Sequence, residues 1–193
     1  MPLTAHLAGA LSITDPVEKA GQTRLLVAGW RDGSIAGLGT TSPPDRPGRP
    51  ARPELKPPRD VPRRRIAPSA GGRIALLHAI AHIELNAIDL ALDMACRYAD
   101  ADLPRAFFDD WLGVADDEAR HFLMLNDRLA KLDATYGDLP AHDGPWQAAQ
   151  ETAHDLLARL AIAPLVLEAR GLDVTPAMID RLRAVGDDES ADA

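Results

Sequence analysis

Residues 72–100 read GRIALLHAIAHIELNAIDLALDMACRYAD, and their pattern indicates the class of fold. Its apolar residues recur every three or four positions, which predicts one long helix with an apolar face. Glu84 lies in the middle of that face, although burying an unpaired carboxylate costs several kcal/mol. The residues that share its line are Leu77, Ile80, Ala81, Ala87, Ile88 and Ala91. Glu84 therefore needs a cation, from another helix or from a metal.

The rest of the chain after residue 69 also reads as helical, and we predict an all-α fold without strands. Turn chemistry fills residues 135–145, and Gly171 is a good residue to follow a helix end. Pro164 predicts a kink inside the third helix. The predicted helices are 104–135, 146–170, 175–186 and a further one starting in 187–193.

The N-terminal third has a different composition. Asp15 as N-cap and Pro16 at the first helical position predict one helix in the first 40 residues, ending near residues 31–33. Nine of the 16 prolines fall within residues 43–68, which predicts an extended arm because proline removes backbone donors. We therefore divide the chain into an N-terminal helical segment, 1–42, the arm, 43–68, and a helical bundle, 69–193.

The net charge of −8 is unevenly distributed. Residues 1–68 contain 11 Lys/Arg against 6 Asp/Glu, and residues 69–193 contain 10 against 23. Either a basic arm lies on an acidic body, or, as a weaker alternative, the arm contacts nucleic acid. One cysteine, no signal-peptide pattern and no apolar run near membrane-spanning length predict a cytoplasmic protein that does not enter a membrane.

Two further helices place acids on apolar faces. In DDEARHF, residues 116–122, Glu118 and His121 lie about 60° apart on the helix and share one side. Glu168 has the same setting in the third helix. In bundle proteins with carboxylate metal sites, glutamates and Glu-x-x-His pairs point inward around two ions. The alternative is that these glutamates pair with arginines or face water.

Several motifs together resemble the bacterial ferritin-like family known as domain of unknown function 455. The motifs are HAIAHIELNAIDLALD (78–93), DDEARHF (116–122), YGDLPAHDG (136–144), EARGLDVTP (168–176) and the proline-rich GRPARPELKPPRDVPRRR (48–65). The resemblance covers roughly residues 10–193. It implies a ferritin-like four-helix bundle and a centre of two iron ions, or iron and manganese, with Glu84, Glu118, His121 and Glu168 as ligands.

The family pattern continues beyond GDDESA into a last helix with a second Glu-x-x-His, which residues 1–193 do not include. The resemblance therefore implies an incomplete bundle and site here, and uncovered apolar faces favour self-association. The leading hypothesis is an O₂-dependent oxidoreductase acting on a small molecule, with Glu118 and Glu168 bridging two ions. The alternatives are a non-enzymatic iron-binding or structural module and, more weakly, an RNA-modifying enzyme, which is a fold-level analogy.

Overall fold

The described residues form an all-α protein, as predicted. The computed structural model describes residues 1–61, 69–100, 102–162 and 169–192, with the backbone alone for 169–174. Across those ranges the β structure is limited to a single bridge between Leu55 and Ala141. The helices are α1 Leu3–Ser12, α2 Pro16–Arg31, α3 Ala70–Arg97, α4 Arg105–Lys131, α5 Gly144–Glu151, α6 Leu156–Ile162, α7 Ala169–Ala184 and α8 Asp188–Ala191, with a 3₁₀ turn at Pro58–Asp60.

Contacts divide the chain into two compact units. The first contains Met1–Ala51 and Ile83–Leu123, and the second contains Arg52–His82 and Met124–Ala193. Each unit therefore combines an N-terminal stretch with parts of α3 and α4. The sequence-based boundaries at residues 42 and 68 stay predictions.

The first unit begins with two short helices rather than one. Helix α2 starts and ends as predicted, because the Asp15 carboxylate accepts a hydrogen bond from the Glu18 amide at 2.8 Å and Pro16 opens the helix. Helix α1 was missed, and the prediction of one helix in this region was wrong. Its signal was present: Leu3, Leu7 and Leu11 repeat every four positions and are fully buried.

Part of the predicted arm belongs to the first unit and packs against α1 and α2. We call residues 43–51 the proline strap. The Gly48 amide donates to the Leu11 carbonyl at 2.7 Å, and Lys19 Nζ donates to the Gly48 carbonyl at 2.9 Å. A Cβ at residue 48 would lie 2.3 Å from the Ser12 carbonyl oxygen, so the strap approaches α1 more closely than any side chain allows. Residues 43–61 contain no α-helix, as predicted, and residues 62–68 lie outside the described part.

The second unit contains two buried histidines, His78 and His82 of α3. His78 Nε2 accepts a hydrogen bond from the Gly137 amide at 2.9 Å. His82 Nε2 donates to the His142 carbonyl at 3.0 Å, so His82 Nδ1 accepts from the Tyr136 hydroxyl at 2.8 Å. These bonds hold the turn after α4, so both histidines have a structural role.

The predicted third helix is not continuous. Helix α5 ends at Glu151, where the Thr152 hydroxyl donates to the Ala148 carbonyl, and Asp155 caps the start of α6 by accepting from the Ala158 amide at 2.7 Å. His154 lies exposed in this turn. Pro164 and its predicted kink fall outside the described residues.

The predicted helix boundary at Gly171 was also wrong. Helix α7 runs through both Gly171 and Pro176. A glycine costs a helix only about 1 kcal/mol, and an interior proline can kink a helix rather than end it. The further helix predicted near the end is confirmed as α8, whose start Asp187 caps by accepting from the Ser190 amide.

Helix α3 is also long and apolar enough to cross a membrane by length and composition alone. The prediction that no apolar run approaches membrane-spanning length was therefore wrong for α3. Most of its apolar window is buried inside the protein, and core helices of soluble proteins pass the same test. The observation is weak evidence for a membrane span.

Candidate metal centre

Three of the four predicted ligands lie together in the first unit. Glu84 comes from α3, and Glu118 and His121 come from α4. One donor atom from each residue lies within 4.8 Å of the other two. His121 Nδ1 lies 3.3 Å from Glu118 Oε2 and 3.7 Å from Glu84 Oε2. Two consecutive helices thus bring two carboxylates and one imidazole to a common point.

The predicted fourth ligand, Glu168, lies outside the described residues. Its role as a ligand stays a prediction.

The cluster lies at the margin of the apolar core rather than inside it. Ala115, Ala119 and Phe122 of α4 are fully buried beside it, and Leu85 is buried on α3. The side chains of Glu84, Glu118 and His121 are 17%, 14% and 38% exposed. Glu84 and Glu118 therefore lie mostly buried, in agreement with the apolar helical faces on which the sequence places them. His121 leaves one side of the cluster open to solvent.

The contacts of His121 define its hydrogen-bonding state. Arg120 Nη2 lies 3.0 Å from His121 Nε2, and because arginine can only donate, Nε2 accepts. The neutral ring then has its proton on Nδ1, which donates to Glu118 Oε2. The hydrogen bond to Glu84, opposed by partial burial and aided by Glu118, raises the pKa of His121 above its ordinary value.

The pKa of Glu84 shifts in the opposite direction to that of His121. Burial would raise the pKa of Glu84, but hydrogen bonds with His121 and Glu118 outweigh burial and lower it. Glu84 therefore stays a carboxylate at neutral pH, which is the form that a cation binds.

Ion pairs fix α4 two residues before Glu118. Asp116 accepts from Arg24 Nε at 3.0 Å and from Arg31 Nη1 at 2.8 Å, and both arginines belong to α2. Asp116 is 19% exposed, whereas its neighbour Asp117 is 67% exposed. Helix α2 thus helps to place the α4 ligands.

A buried ionic cluster on α3 was missed entirely. Asp89 is fully buried and accepts from Lys19 Nζ at 2.7 Å, and Arg49 Nη2 of the proline strap lies 2.9 Å from its second oxygen. Arg49 also donates to the Asn86 side-chain oxygen at 2.7 Å. Burial lowers the pKa of Lys19, and Asp89 opposes that shift. Burial raises the pKa of Asp89, and Arg49 and Lys19 oppose that shift. The available signal was an aspartate within the apolar run AIDLALD.

Cys96 is buried and has a free thiol. Burial raises the pKa of its thiol to about 12, so the thiol is not a reactive nucleophile at neutral pH.

Comparisons with known proteins agree with the motifs. Residues 12–193 match the family described as "Protein of unknown function (DUF455)", and the chain belongs to this family. An "Uncharacterized protein" from Haemophilus influenzae is 49% identical over 138 residues, which is 69% of this chain and 48% of that protein. The chain therefore spans about half the length of the curated relative that it matches. No solved structure matches.

Proposed function

We propose that the chain binds iron, or iron and manganese, at Glu84, Glu118 and His121, as part of a ferritin-like di-metal carboxylate oxidoreductase of unknown substrate. The observation that supports this proposal is the convergence of three donor atoms within 4.8 Å. Two carboxylates so close together repel each other, and a bound cation would offset that repulsion more fully than His121 alone.

The donor set fits such a metal. A mixture of carboxylate oxygen and imidazole nitrogen suits iron and manganese, whereas zinc sites with thiolate ligands need cysteines that are absent from the sequence near this point. One divalent ion would neutralise Glu84 and Glu118. Three donors leave further coordination positions, and Glu168 is the candidate within this chain for completing a dinuclear centre.

Each ligand has a defined task. Glu84 and Glu118 would hold the cation by their charge, and His121 would add a neutral nitrogen donor through Nδ1. Bound iron would supply one-electron redox chemistry and O₂ activation. The apolar residues beside the cluster limit water on one side, while the exposed edge of His121 leaves the other side open to small molecules.

A non-enzymatic role is the second candidate, either iron binding or a purely structural ion-pair cluster. Its support is that the His121 ring already has partners on both nitrogens, Arg120 at 3.0 Å and Glu118 at 3.3 Å. Metal content separates the structural form of this candidate from the proposal. Repeated consumption of O₂ by iron-loaded protein, beyond one oxidation of the bound Fe²⁺, separates an oxidoreductase from a protein that only binds iron.

Replacing Glu118 by glutamine should abolish stoichiometric metal binding. The substitution keeps the size of the side chain but removes the charge that holds the ion, so we expect bound iron or manganese to fall to background. The measurement is elemental analysis after anaerobic incubation with Fe²⁺ or with Mn²⁺ and removal of free metal.

Asp110→Asn is the matched control, because Asp110 is an exposed acid on the same helix. That variant should bind as much metal as the unmodified chain. Circular dichroism of both variants checks that the helices are retained. The proposal fails if the unmodified chain binds no iron or manganese, or if Glu118→Gln binds as much as the control.

Metal affinity should rise with pH through and above the ordinary imidazole range. His121 must lose a proton to bind a cation, and the carboxylates hold the pKa of that ring above its ordinary value. Without metal the sign reverses: protonated His121 stabilises the fold below about pH 6.5, and this contribution is lost as pH rises through the raised pKa. Mn²⁺ titrations between about pH 6 and 8.5 test this, and a flat profile contradicts the role of His121.

A further inference from the structure

We propose that Asp116 of α4, together with Arg24 and Arg31 of α2, positions the ligands of α4, so that the affinity of the centre for metal depends on these ion pairs. We call the three residues the Asp116 cluster. The inference rests on the proposed function, because it concerns the same metal ligands. The cluster would act through the rotation of α4 about its axis, which sets where Glu118 and His121 lie.

Asp116 lies on the side of α4 away from the ligands. At about 100° per residue, its side chain is about 160° around the helix from Glu118 and about 140° from His121. Along the axis, the rise between Asp116 and Glu118 is only about 3 Å. Because a helix is rigid over one turn, the contacts that hold one side of it also fix the direction in which its other side faces. Asp116 can therefore control the rotation of the ligands without contacting the metal.

Two arginines fix the Asp116 carboxylate from two directions. Arg24 Nε lies 3.0 Å from Oδ1, and Arg31 Nη1 lies 2.8 Å from Oδ2. The two arginines are two turns apart on α2, or about 10 Å along its axis. Charge-assisted hydrogen bonds of this length are strong and depend on direction. A movement of Asp116 along α2, in either direction, would therefore lengthen one of the two bonds.

The packing of α4 beside the candidate site gives little resistance to rotation. Between Leu112 and Phe122, the buried apolar residues of α4 are Ala115 and Ala119. Their methyl groups interlock less with a neighbouring helix than larger side chains do. The ion pairs with α2 therefore add directional contacts at a level where the packing surface of α4 is smooth.

The candidate site needs a defined rotation of α4 because its donors come from two helices. Glu84 belongs to α3, whereas Glu118 and His121 belong to α4, so the convergence of their donor atoms depends on how α4 is turned. Side-chain atoms lie about 5–6 Å from a helix axis, and a rotation of about 10° moves them by about 1 Å. Binding sites need their groups held to within about 0.5 Å. A small rotation of α4 should therefore weaken metal binding.

The test measures metal affinity of the full chain in which Arg24→Gln and Arg31→Gln are combined. Removing two positive charges would by itself strengthen the binding of a cation. Positioning predicts the opposite sign, and we expect the affinity to fall about tenfold, as it does when outer partners of a metal site are removed. Equilibrium dialysis against Mn²⁺, and against Fe²⁺ without oxygen, gives the affinity at constant pH and ionic strength.

Two further variants act as controls. Asp116→Ala should also weaken metal binding, and adding both arginine substitutions to it should cause no further loss, because the cluster is already broken. Asp109→Ala removes a different contact between α4 and α2, the 2.7 Å hydrogen bond from Trp30 Nε1, at a position more than two turns before the ligands. It should bind metal as the unmodified chain does.

Urea unfolding of the metal-free variants distinguishes a loss of affinity from a loss of fold. Arg24 and Arg31 are about half exposed, so their ion pairs add little to stability and the double variant should stay folded. If it does not fold, the two single variants give the sign of the change. Metal affinity equal to or higher than that of the unmodified chain overturns this inference alone. Failure of the unmodified chain to bind either ion overturns the proposed function and the inference with it.

Discussion

Replacing Asp89 by alanine should lower the free energy of unfolding by about 3–5 kcal/mol, the usual cost of removing one partner from a buried ion pair. The loss arises because Lys19 and Arg49 keep their positions without the carboxylate between them. Lys19 is 1% exposed, so water cannot replace the missing partner. Urea unfolding followed by circular dichroism measures the change.

Two further variants test whether the buried ion pair causes this loss of stability. Asp110→Ala removes an exposed acid and should change stability by no more than about 0.5 kcal/mol. Replacing Lys19 by methionine and Asp89 by leucine together should cost less than Asp89→Ala alone, because no unpaired lysine remains. A loss below about 1 kcal/mol for Asp89→Ala would show that the cluster is not essential to the first unit.

Metal binding should increase the free energy of unfolding. Under the proposed function, Mn²⁺ at about 100 times its Kd should raise the unfolding free energy of the unmodified chain by about 2.7 kcal/mol. Glu84→Gln removes one of two charged ligands, and we expect a loss in affinity of at least about 100-fold. At the same Mn²⁺ concentration its stabilisation should then fall to about 0.4 kcal/mol or less.

The readout is the difference in urea midpoint with and without Mn²⁺, so any effect of Glu84→Gln on the metal-free fold cancels. Asp110→Asn should keep the full metal-dependent increase. If Glu84→Gln keeps it too, Glu84 is not a ligand, whatever else the centre does.

Local sequence signals predicted much of the fold. Asp15 and Pro16 placed the start of α2 correctly, and the repeat of apolar residues identified α3 and α4. The break between α5 and α6 was not predicted. It depends on the short-range bonds of Thr152 and Asp155 within a sequence that is otherwise favourable to helix.

The residues of the candidate site could be predicted where their position on an apolar helical face identifies them. Glu84, Glu118 and His121 were identified because each interrupts an apolar line, and the structure brings these three together. The ionic partners of Asp89 were not predictable in this way. Lys19 is 70 residues away in sequence and Arg49 lies in a segment with no periodicity, so only the folded chain shows the pairing.

Because of the contacts of the proline strap, a fragment used to study the candidate site must include the N-terminal residues. A fragment beginning at residue 69 would retain Glu84, Glu118 and His121 yet lose both countercharges of Asp89, which come from Lys19 and Arg49. It would also lose the two arginines of α2 that neutralise Asp116. The shortest useful fragment therefore starts at the N-terminus, even though none of the proposed metal ligands lies there.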